Sequence, residues 1–507
     1  MEAVPQPADS RSHREWFVAV VLVLFTFLPI VVWPGDVSLL IDESRLLANA
    51  FHANRNHELA AQGLYGNFGL PYSPVPTHIY QLLVAITHDP FMLVVLRGLL
   101  ASGLTAFSLL WLARSLRLPP WFAAVILIGP NVIAFHRILW DASFTIPLGS
   151  LTLAAFADFL RTGRVWPLRI ALAGAVQAAL IHPQTLPLSL PIIGHLVLKH
   201  RDVIWRDKPG MSCTAGVLLI FNAKYLVIAA GAFAWRLNHA PITAYPNGGS
   251  HWLTALAPLL GGNLLTGYGY SAPPIGAAWL ATAAAWCSRI IFLLIWSGIA
   301  LGLWRTFRPA TQTERTPAET ARDTVTRIAL IGLALQALIF GVLRIPAEPQ
   351  YFFGTFALHV FFAWLAVQAV NYRLALRSPA MLHGAACACI TFGMIAQVHW
   401  RGDPPTLKDA VGIVHTLNRY DDTTAWTDVE LFRRYPEAIR TVRLLLPAPP
   451  GGKPNTGGRL LITARKRDGL PIGGLEVAEL HGDPPPGSRS FEITPLPGDW
   501  MPDPGTW

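Results

Sequence analysis

The chain has 507 residues, of which 52% are hydrophobic and only 14% charged, with 18 tryptophans. Soluble domains carry about one quarter charged residues, whereas a bilayer core about 30 Å thick needs about 20 apolar residues for each crossing helix. The composition therefore excludes an ordinary soluble enzyme and predicts a polytopic α-helical membrane protein.

Apolar segments along the chain predict about 11 transmembrane helices. The first follows the basic stretch "RSHRE" without a small-residue cleavage site, which predicts a retained span and not a removed signal peptide. The predicted spans lie near residues 16–33, 90–112, 121–136, 143–160, 165–181, 185–199, 213–234, 282–304, 327–343, 351–372 and 380–398.

Basic residues concentrate in every second loop. With residues 1–15 in the cytoplasm, the inner loops hold Arg114, Arg117, Arg161, Arg164, Lys199, Arg201, Arg206, Lys208, Arg305, Arg308, Arg315, Arg322, Arg373 and Arg377. This asymmetry follows the positive-inside rule. The formal net charge of +9 therefore reports orientation in a plasma membrane, of the bacterial inner-membrane kind, and predicts no nucleic-acid partner.

The first outer loop, 34–89, is long enough to hold structure of its own. Leu46, Leu47, Ala50 and Phe51 recur at helical spacing and predict a helix that lies on the membrane surface. The stretch "GLYGNFGLPYSPVPTHIYQLL" then predicts a proline-rich turn leading into a second short helix from about Thr77.

Two further regions lie outside the predicted membrane module, which spans 16–399. The outer segment 236–281 is rich in Gly, Tyr and Pro and predicts a lid or re-entrant loop. Residues 400–507 predict a small extracytoplasmic α/β domain, with a helix in "LKDAVGIVHTLNRY" and strands in "RLLITARK" and "SFEITPL". This domain carries no constellation typical of catalysis, so a structural or partner-binding role stays open.

The stretch "LLIDESRLLANAF" places Asp42, Glu43 and Arg45 where the chain leaves the first span. A short polar side chain here is typical of helix capping. Capping is compatible with chemistry, because the helix field keeps an N-terminal carboxylate ionised and an ionised, oriented carboxylate can act as a general base.

Other candidates lie on the remaining outer loops. Arg137 and Asp141 indicate either an interfacial ion pair next to Trp140 or a second acidic site able to hold a cation or an acceptor hydroxyl. His182 and His78 are candidates for site residues, although a lone histidine in such a position is more often a satisfied polar cap than a ligand.

A last pair flanks "IPAEPQ" near the tenth span. Arg344 is either a snorkelling interfacial arginine or binds a phosphate through its forked guanidinium. Tyr351 follows the segment at its other end. Arg97 and Lys224 lie within predicted spans, where a charge is costly, and each is therefore a lower-ranked site hypothesis.

These motifs, in this order, resemble the GT-C membrane glycosyltransferases, in particular protein O-mannosyltransferases and the lipid A aminoarabinose transferase. The matching features are "DESR" after the first span, "PYSPVPTHIYQLL" in the first loop and "RIPAEPQYFFGTFALHVFFAWLAV" at a late span. The resemblance covers roughly residues 10–400.

The resemblance implies transfer of a sugar from a polyprenyl-phosphate donor on the outer face of the membrane. It makes Asp42, or its neighbour Glu43, the base, and it places Arg45 and Arg344, with Arg137 as a further candidate, at the donor phosphate. Asp141 matches a second acidic site. The aminoarabinose transferase carries a lysine in the proline-rich turn, where this chain offers only His78.

The implied chemistry requires no cofactor, although Asp42 and Asp141 allow a divalent cation. Removal of the acceptor proton by a carboxylate and departure of a phosphate permit a single, inverting displacement. The acceptor is a glycan, a lipid or a protein, and membrane lipids surround the enzyme. The alternatives are a transporter or lipid flippase, for which charges near the membrane midplane are typical, and a polymerase or ligase of surface polysaccharide.

Overall fold

The structure is a computed structural model of the chain, without ligands. It describes residues 10–32, 34, 46–47, 49–50, 53–54, 56–64, 70–87, 90–239, 278–307, 316–343, 349–374 and 388, together with seven strands between 414 and 495.

The described part of the chain before residue 400 is almost entirely helical. The helices are α1 (Ser10–Phe25), α2 (Leu28–Val32), α3 (Val75–Ile86), α4 (Pro90–Leu116), α5 (Phe122–Leu127), α6 (Pro130–Arg137), α7 (Thr145–Thr162), α8 (Val165–Ile181), α9 (Leu186–Lys199), α10 (Arg201–Arg206), α11 (Lys208–His239), α12 (Ala278–Phe307), α13 (Pro317–Leu343) and α14 (Phe356–Leu374). Three short 3₁₀ turns join them: turn A (Ala142–Phe144), turn B (Pro183–Thr185) and turn C (Pro349–Thr355).

Seven helical segments within the described residues are long and apolar enough to cross a membrane, which makes the protein an integral membrane protein. They coincide with predicted spans and are His13–Val32, Phe91–Leu116, Ala142–Thr162, Lys208–Trp235, Arg289–Phe307, Pro317–Leu343 and Gln350–Val370.

The other predicted spans have different outcomes. Those at 165–181 and 185–199 are helices α8 and α9, which are shorter than the seven. The span predicted at 121–136 is divided into α5 and α6, because Gly129 is not helical and Pro130 begins a new helix. The span predicted at 380–398 lies outside the described residues, apart from residue 388.

Contacts between helix ends support the predicted alternation of the spans. At one end the indole of Trp364 donates to the carbonyl of Pro119 (2.7 Å), and Arg322 donates to the carbonyl of Leu116 (2.6 Å). At the other end the backbone N–H of Ser73 donates to the carbonyl of Leu180 (3.0 Å). We call the first the inner end and the second the outer end, following the charge asymmetry of the loops.

Helix α7 lies at the centre of the helical body and contacts α4, α8, α13 and α14. It ends at Gly163, whose φ of 66° is the left-handed conformation that closes a helix without steric cost. Large apolar side chains of α14 and turn C, including Phe353, Phe361 and Trp364, are fully buried in the helical body. Burial of each ring stabilises the fold by about 1.5–3 kcal/mol.

A closed ring of polar side chains ties α8 and α11 to the first loop. The hydroxyl of Ser73 donates to Asn222 Oδ1 (2.7 Å) and accepts from Gln177 Nε2 (2.9 Å). Asn222 Nδ2 donates in turn to Gln177 Oε1 (2.9 Å). All three residues are buried. Because hydrocarbon offers no alternative partners, such a ring fixes how the three segments pack.

The described parts of the first loop pack on the helical body, whereas the predicted position of its first helix on the membrane surface stays a prediction. Residues 46–47, 49–50 and 53–54 are helical, and Leu46, Leu47 and Ala50 are fully buried. The carboxamide of Gln81 on α3 donates to Asn54 Oδ1 (3.0 Å) and accepts from the N–H of Ala60 (3.1 Å). Phe51 lies outside the described residues.

The described strands form one sheet in the order β1-β4-β7-β6-β5-β3-β2. They are β1 (Val414–His415), β2 (Asn418–Arg419), β3 (Ala425–Trp426), β4 (Val442–Leu445), β5 (Arg459–Arg465), β6 (Pro471–His481) and β7 (Ser490–Pro495). Strands β5 and β7 coincide with the predicted "RLLITARK" and "SFEITPL". Strands β1 and β2 fall within the helix predicted for "LKDAVGIVHTLNRY", where pairing with β4 and β3 replaces the helical periodicity.

We predict that Asn222→Ala destabilises the protein by about 1–2 kcal/mol, because it removes the acceptor of the Ser73 hydroxyl and the donor to Gln177 Oε1 in an apolar surrounding. Thermal unfolding of the purified protein in detergent measures this loss. Thr214→Ala on the same helix is the matched control, since that hydroxyl donates to the helix's own Gly210 carbonyl. Equal melting temperatures for Asn222→Ala and the wild type would contradict a stabilising ring.

Candidate functional site

Three 3₁₀ turns meet at the outer end of the helical body, and each leads into a helix: turn A into α7, turn B into α9 and turn C into α14. Each turn lies at a sequence-predicted candidate. Asp141 precedes turn A, His182 precedes turn B, and Tyr351 lies in turn C. The fold thus gathers candidates that are up to 210 positions apart, from residue 141 to residue 351.

Asp141 caps turn A. Its Oδ1 accepts a hydrogen bond from the N–H of Ala142 (2.6 Å), and the residue is only 1% exposed. The side chain is enclosed by protein, and the two interpretations of Asp141, an interfacial ion pair or a second acidic site, stay predictions. Burial places a carboxylate of fixed orientation at the outer end, as a second acidic site requires.

His182 caps turn B in a similar manner. Its Nδ1 accepts from the N–H of Gln184 (3.3 Å), and its ring lies 4.6 Å from the ring of Tyr72 between centroids. Burial lowers the pKa of His182 to about 3, so the imidazole is neutral at physiological pH. A neutral ring can orient a hydroxyl by hydrogen bonding but supplies no charge to a phosphate.

Turns A and B are joined by side chains. The hydroxyl of Thr145 donates to the carbonyl of Ala142 (2.6 Å) and accepts from Gln184 Nε2 (3.4 Å). Turns B and C are joined by backbone. A Cβ on Gly354 would lie 2.6 Å from Thr185 Cα and closer still to the Gln184 carbonyl oxygen. Only glycine permits this approach.

Tyr351 is partly buried, with its ring edge-on to that of Phe340 at 6.5 Å. Phe353, two residues later in turn C, contacts Phe135 (4.5 Å) and Trp140 (5.9 Å) through its ring. Trp140 thus packs against turn C, in the interior of the junction.

Arg137 ends α6 and is 1% exposed. The aliphatic part of its side chain packs against Gly98 of α4, since a Cβ there would lie 3.6 Å from Arg137 Cγ. The side chain is enclosed by protein, and its predicted roles, in an ion pair or at the donor phosphate, stay predictions. The short segment 137–141 therefore carries both a buried cation and a buried acid.

Arg97 of α4 was ranked below the loop residues, yet it contacts both sides of this segment. Its guanidinium donates to the carbonyl of Phe135 (3.0 Å), to that of His136, and to the hydroxyl of Ser143. It is fully buried and stacks over the ring of Phe144 at 4.8 Å. In the sequence, an arginine inside an apolar span indicated a special role for this residue. Its partners lie 38 to 46 positions away, and no sequence pattern connects them to Arg97.

The buried imidazole of His136 fixes α6 to α4. Its Nδ1 lies 3.0 Å from the Ser102 hydroxyl and its Nε2 lies 3.1 Å from the Thr105 hydroxyl. Thr105 already donates to the Ala101 carbonyl (2.8 Å). A hydroxyl has one proton, so Nε2 donates to Thr105 and Nδ1 accepts from Ser102. The ring serves as a structural bridge.

His78 lies on α3, the short helix predicted from about Thr77. Its Nε2 donates to the carbonyl of Ala60 (2.9 Å), and burial lowers its pKa. Lys224 lies on α11, within the apolar segment Lys208–Trp235, and its side chain is exposed.

Four predicted residues lie outside the described part of the chain: Asp42, Glu43, Arg45 and Arg344. Asp42 and Arg45 precede the buried Leu46 by a few residues, and their roles stay predictions. Within the described residues, no group of three or more His, Cys, Asp or Glu side chains is placed to hold a metal ion.

The three turns also direct the N-termini of α7, α9 and α14 toward the outer end. Each helix N-terminus carries roughly half a positive charge. With Arg137 nearby, this arrangement favours an anionic group such as a phosphate, while Asp141 supplies an acid. The described fold and site are those of a polytopic helical membrane protein with a polar centre at one end of its helices.

Two solved structures to which the chain is similar are of a lipid A aminoarabinose transferase, ArnT from Cupriavidus metallidurans, one of the GT-C enzymes that the motifs resemble. The structure bound to undecaprenyl phosphate has 15% identity and a TM-score of 0.39, covering 77% of this chain and 70% of that one. The apo structure has 13% identity and a TM-score of 0.42, covering 86% and 94%.

No protein-family model and no curated protein matches the sequence.

We predict that Gly354→Ala separates turn C from turn B and destabilises the protein by about 1–3 kcal/mol, because the new methyl group meets backbone atoms that cannot move aside. Gly194→Ala on α9 is the matched control, since a Cβ there meets nothing within 4 Å. Thermal unfolding in detergent compares the two. A Gly354→Ala protein as stable as Gly194→Ala would show that the turns are not in close contact.

Proposed function

We propose that the protein is a membrane glycosyltransferase that moves a sugar from a polyprenyl-phosphate donor to an acceptor hydroxyl at the outer face of the membrane. The observation that carries the proposal is the junction of turns A, B and C, which places Asp141, His182 and Tyr351 at one end of the helical body beside the buried Arg137. This end is the outer one by the distribution of basic loop residues.

The phosphate of the donor is proposed to bind where the three helix N-termini and Arg137 lie, with Arg45 and Arg344 as additional cations. Positive charge there stabilises the leaving polyprenyl phosphate, which gains negative charge as the glycosidic bond breaks. The lipid chain extends into the bilayer beside the helices, so a donor of this kind needs no aqueous route.

Asp42 is proposed to remove the proton of the acceptor hydroxyl as its oxygen attacks the anomeric carbon. The new carbon–oxygen bond forms as the bond to the phosphate oxygen breaks, and the proton stays on the carboxylate. One displacement inverts the anomeric centre. Glu43 is the alternative base, while Asp141, Tyr351 and the neutral imidazoles of His182 and His78 are proposed to orient the acceptor.

The transporter alternative is less well supported by the described residues. This alternative requires charged residues within the membrane that couple ion movement to transport, and Arg97 and Lys224 were the two candidates. Arg97 is bonded to two carbonyls and a hydroxyl, and the side chain of Lys224 is exposed on α11, outside the packed interior of the described helices. Neither arrangement is typical of an ion-coupling site.

We predict that Asp42→Asn lowers transfer at least about 100-fold, because the amide cannot accept the proton, whereas Glu43→Gln retains most of it. Mass spectrometry of glycolipids and envelope glycans compares strains carrying only the variant or the wild type, and NMR of the wild-type product establishes the inverted linkage. Immunoblotting of membranes confirms that both variants insert. The reverse pattern would make Glu43 the base, and unimpaired transfer by both would exclude this carboxylate pair.

A further inference from the structure

One guanidinium holds both ends of the segment that carries Arg137 and Asp141. Before the segment, Arg97 donates to the carbonyls of Phe135 and His136; after it, Arg97 donates to the hydroxyl of Ser143. Ser143 in turn donates to the carbonyl of Trp140 (2.7 Å), inside the segment. The two arms of this bend are thus joined through a single side chain of another helix.

The position of Arg97 makes this arrangement costly. Arg97 lies seven residues after the start of α4 at Pro90, which is about 10 Å along the helix axis at 1.5 Å per residue, and it is fully buried. A buried cation within a membrane span is expensive, and such residues are rare unless they serve the site. The two carbonyls and the hydroxyl of Ser143 are neutral oxygens, and the side chain of Tyr80 also interacts with the guanidinium, so the cation is held by dipoles.

The chemistry of the guanidinium explains why an arginine is present. The two carbonyls belong to the last turn of α6, whose C-terminal dipole favours a cation. The Ser143 hydroxyl lies on the other arm. Arginine presents several donors in a rigid plane and can bond in two directions, whereas lysine is a single point charge on a flexible stem. The face of Phe144 fixes the plane from one side.

We infer that Arg97 is a positioning residue, which orients Arg137 and Asp141 toward the donor phosphate and the acceptor without contacting either substrate. The inference rests on the proposed function. Arg97 holds the bend between α6 and α7, and the bend holds the buried cation and acid in fixed relation to turns B and C.

The test measures the affinity of the purified full-length protein for undecaprenyl phosphate by native mass spectrometry. Arg97→Lys keeps the charge but cannot bond to both arms, and it weakens binding by about 10-fold or more, the range for a lost charge-assisted hydrogen bond. Arg114→Lys is the matched control, because Arg114 lies on the same helix, exposed at its inner end.

A double-mutant comparison separates positioning from general destabilisation. If Arg97 acts through Arg137, then Arg97→Lys causes no further loss of affinity in the Arg137→Gln background. Ser143→Ala releases one arm while leaving the bonds of Arg97 to α6, and it weakens binding by a smaller factor. It also serves as the test should Arg97→Lys fail to fold, as judged by thermal unfolding.

The outcomes distinguish the two proposals. Wild-type protein that does not bind undecaprenyl phosphate would remove the donor assignment, and the inference with it. Wild-type protein that binds, together with Arg97→Lys and Ser143→Ala proteins that bind equally well, would overturn the inference alone. Losses that add fully to that of Arg137→Gln would also overturn it, because they indicate a structural effect independent of Arg137.

Discussion

The outer end of this protein depends on the bonding of Arg97 to both arms of the bend between α6 and α7. In a bilayer, backbone groups freed at a bend have no water to bond to, so every bend must be satisfied from within the protein. Here the guanidinium of Arg97 satisfies carbonyls at the end of α6 and the hydroxyl at the start of turn A. The same need for internal partners explains the ring of Ser73, Gln177 and Asn222.

Structural and functional roles coincide at the junction of the three turns. Asp141 and His182 are helix caps by their hydrogen bonds, as base rates for such residues favour. The same bonds fix their side chains, and burial leaves the ring of His182 neutral. A cap is therefore compatible with a site, because a reactive or orienting group must be held in place by contacts that are not themselves part of the reaction.

Residue patterns predicted the local features of this chain well and its long-range contacts poorly. The apolar runs located the long helices, and helical spacing located the buried Leu46, Leu47 and Ala50. The segment 121–136 was predicted as one helix because it is continuously apolar. Gly129 and Pro130 indicate the break between α5 and α6, but the prediction did not use them. The partnership of Arg97 with Ser143, and the backbone approach of Gly354 to turn B, depend on three-dimensional packing that no single segment specifies.

The donor phosphate is proposed to bind at the junction of turns A, B and C, at the outer end of the helices. A photoreactive analogue of undecaprenyl phosphate, carrying its reactive group next to the phosphate, tests this in membranes that contain the full-length protein. Peptide mapping by mass spectrometry should then find the label in the segments 137–145, 182–186 and 349–356. Labelling confined to the inner end, at 114–122 or 199–208, would contradict the account.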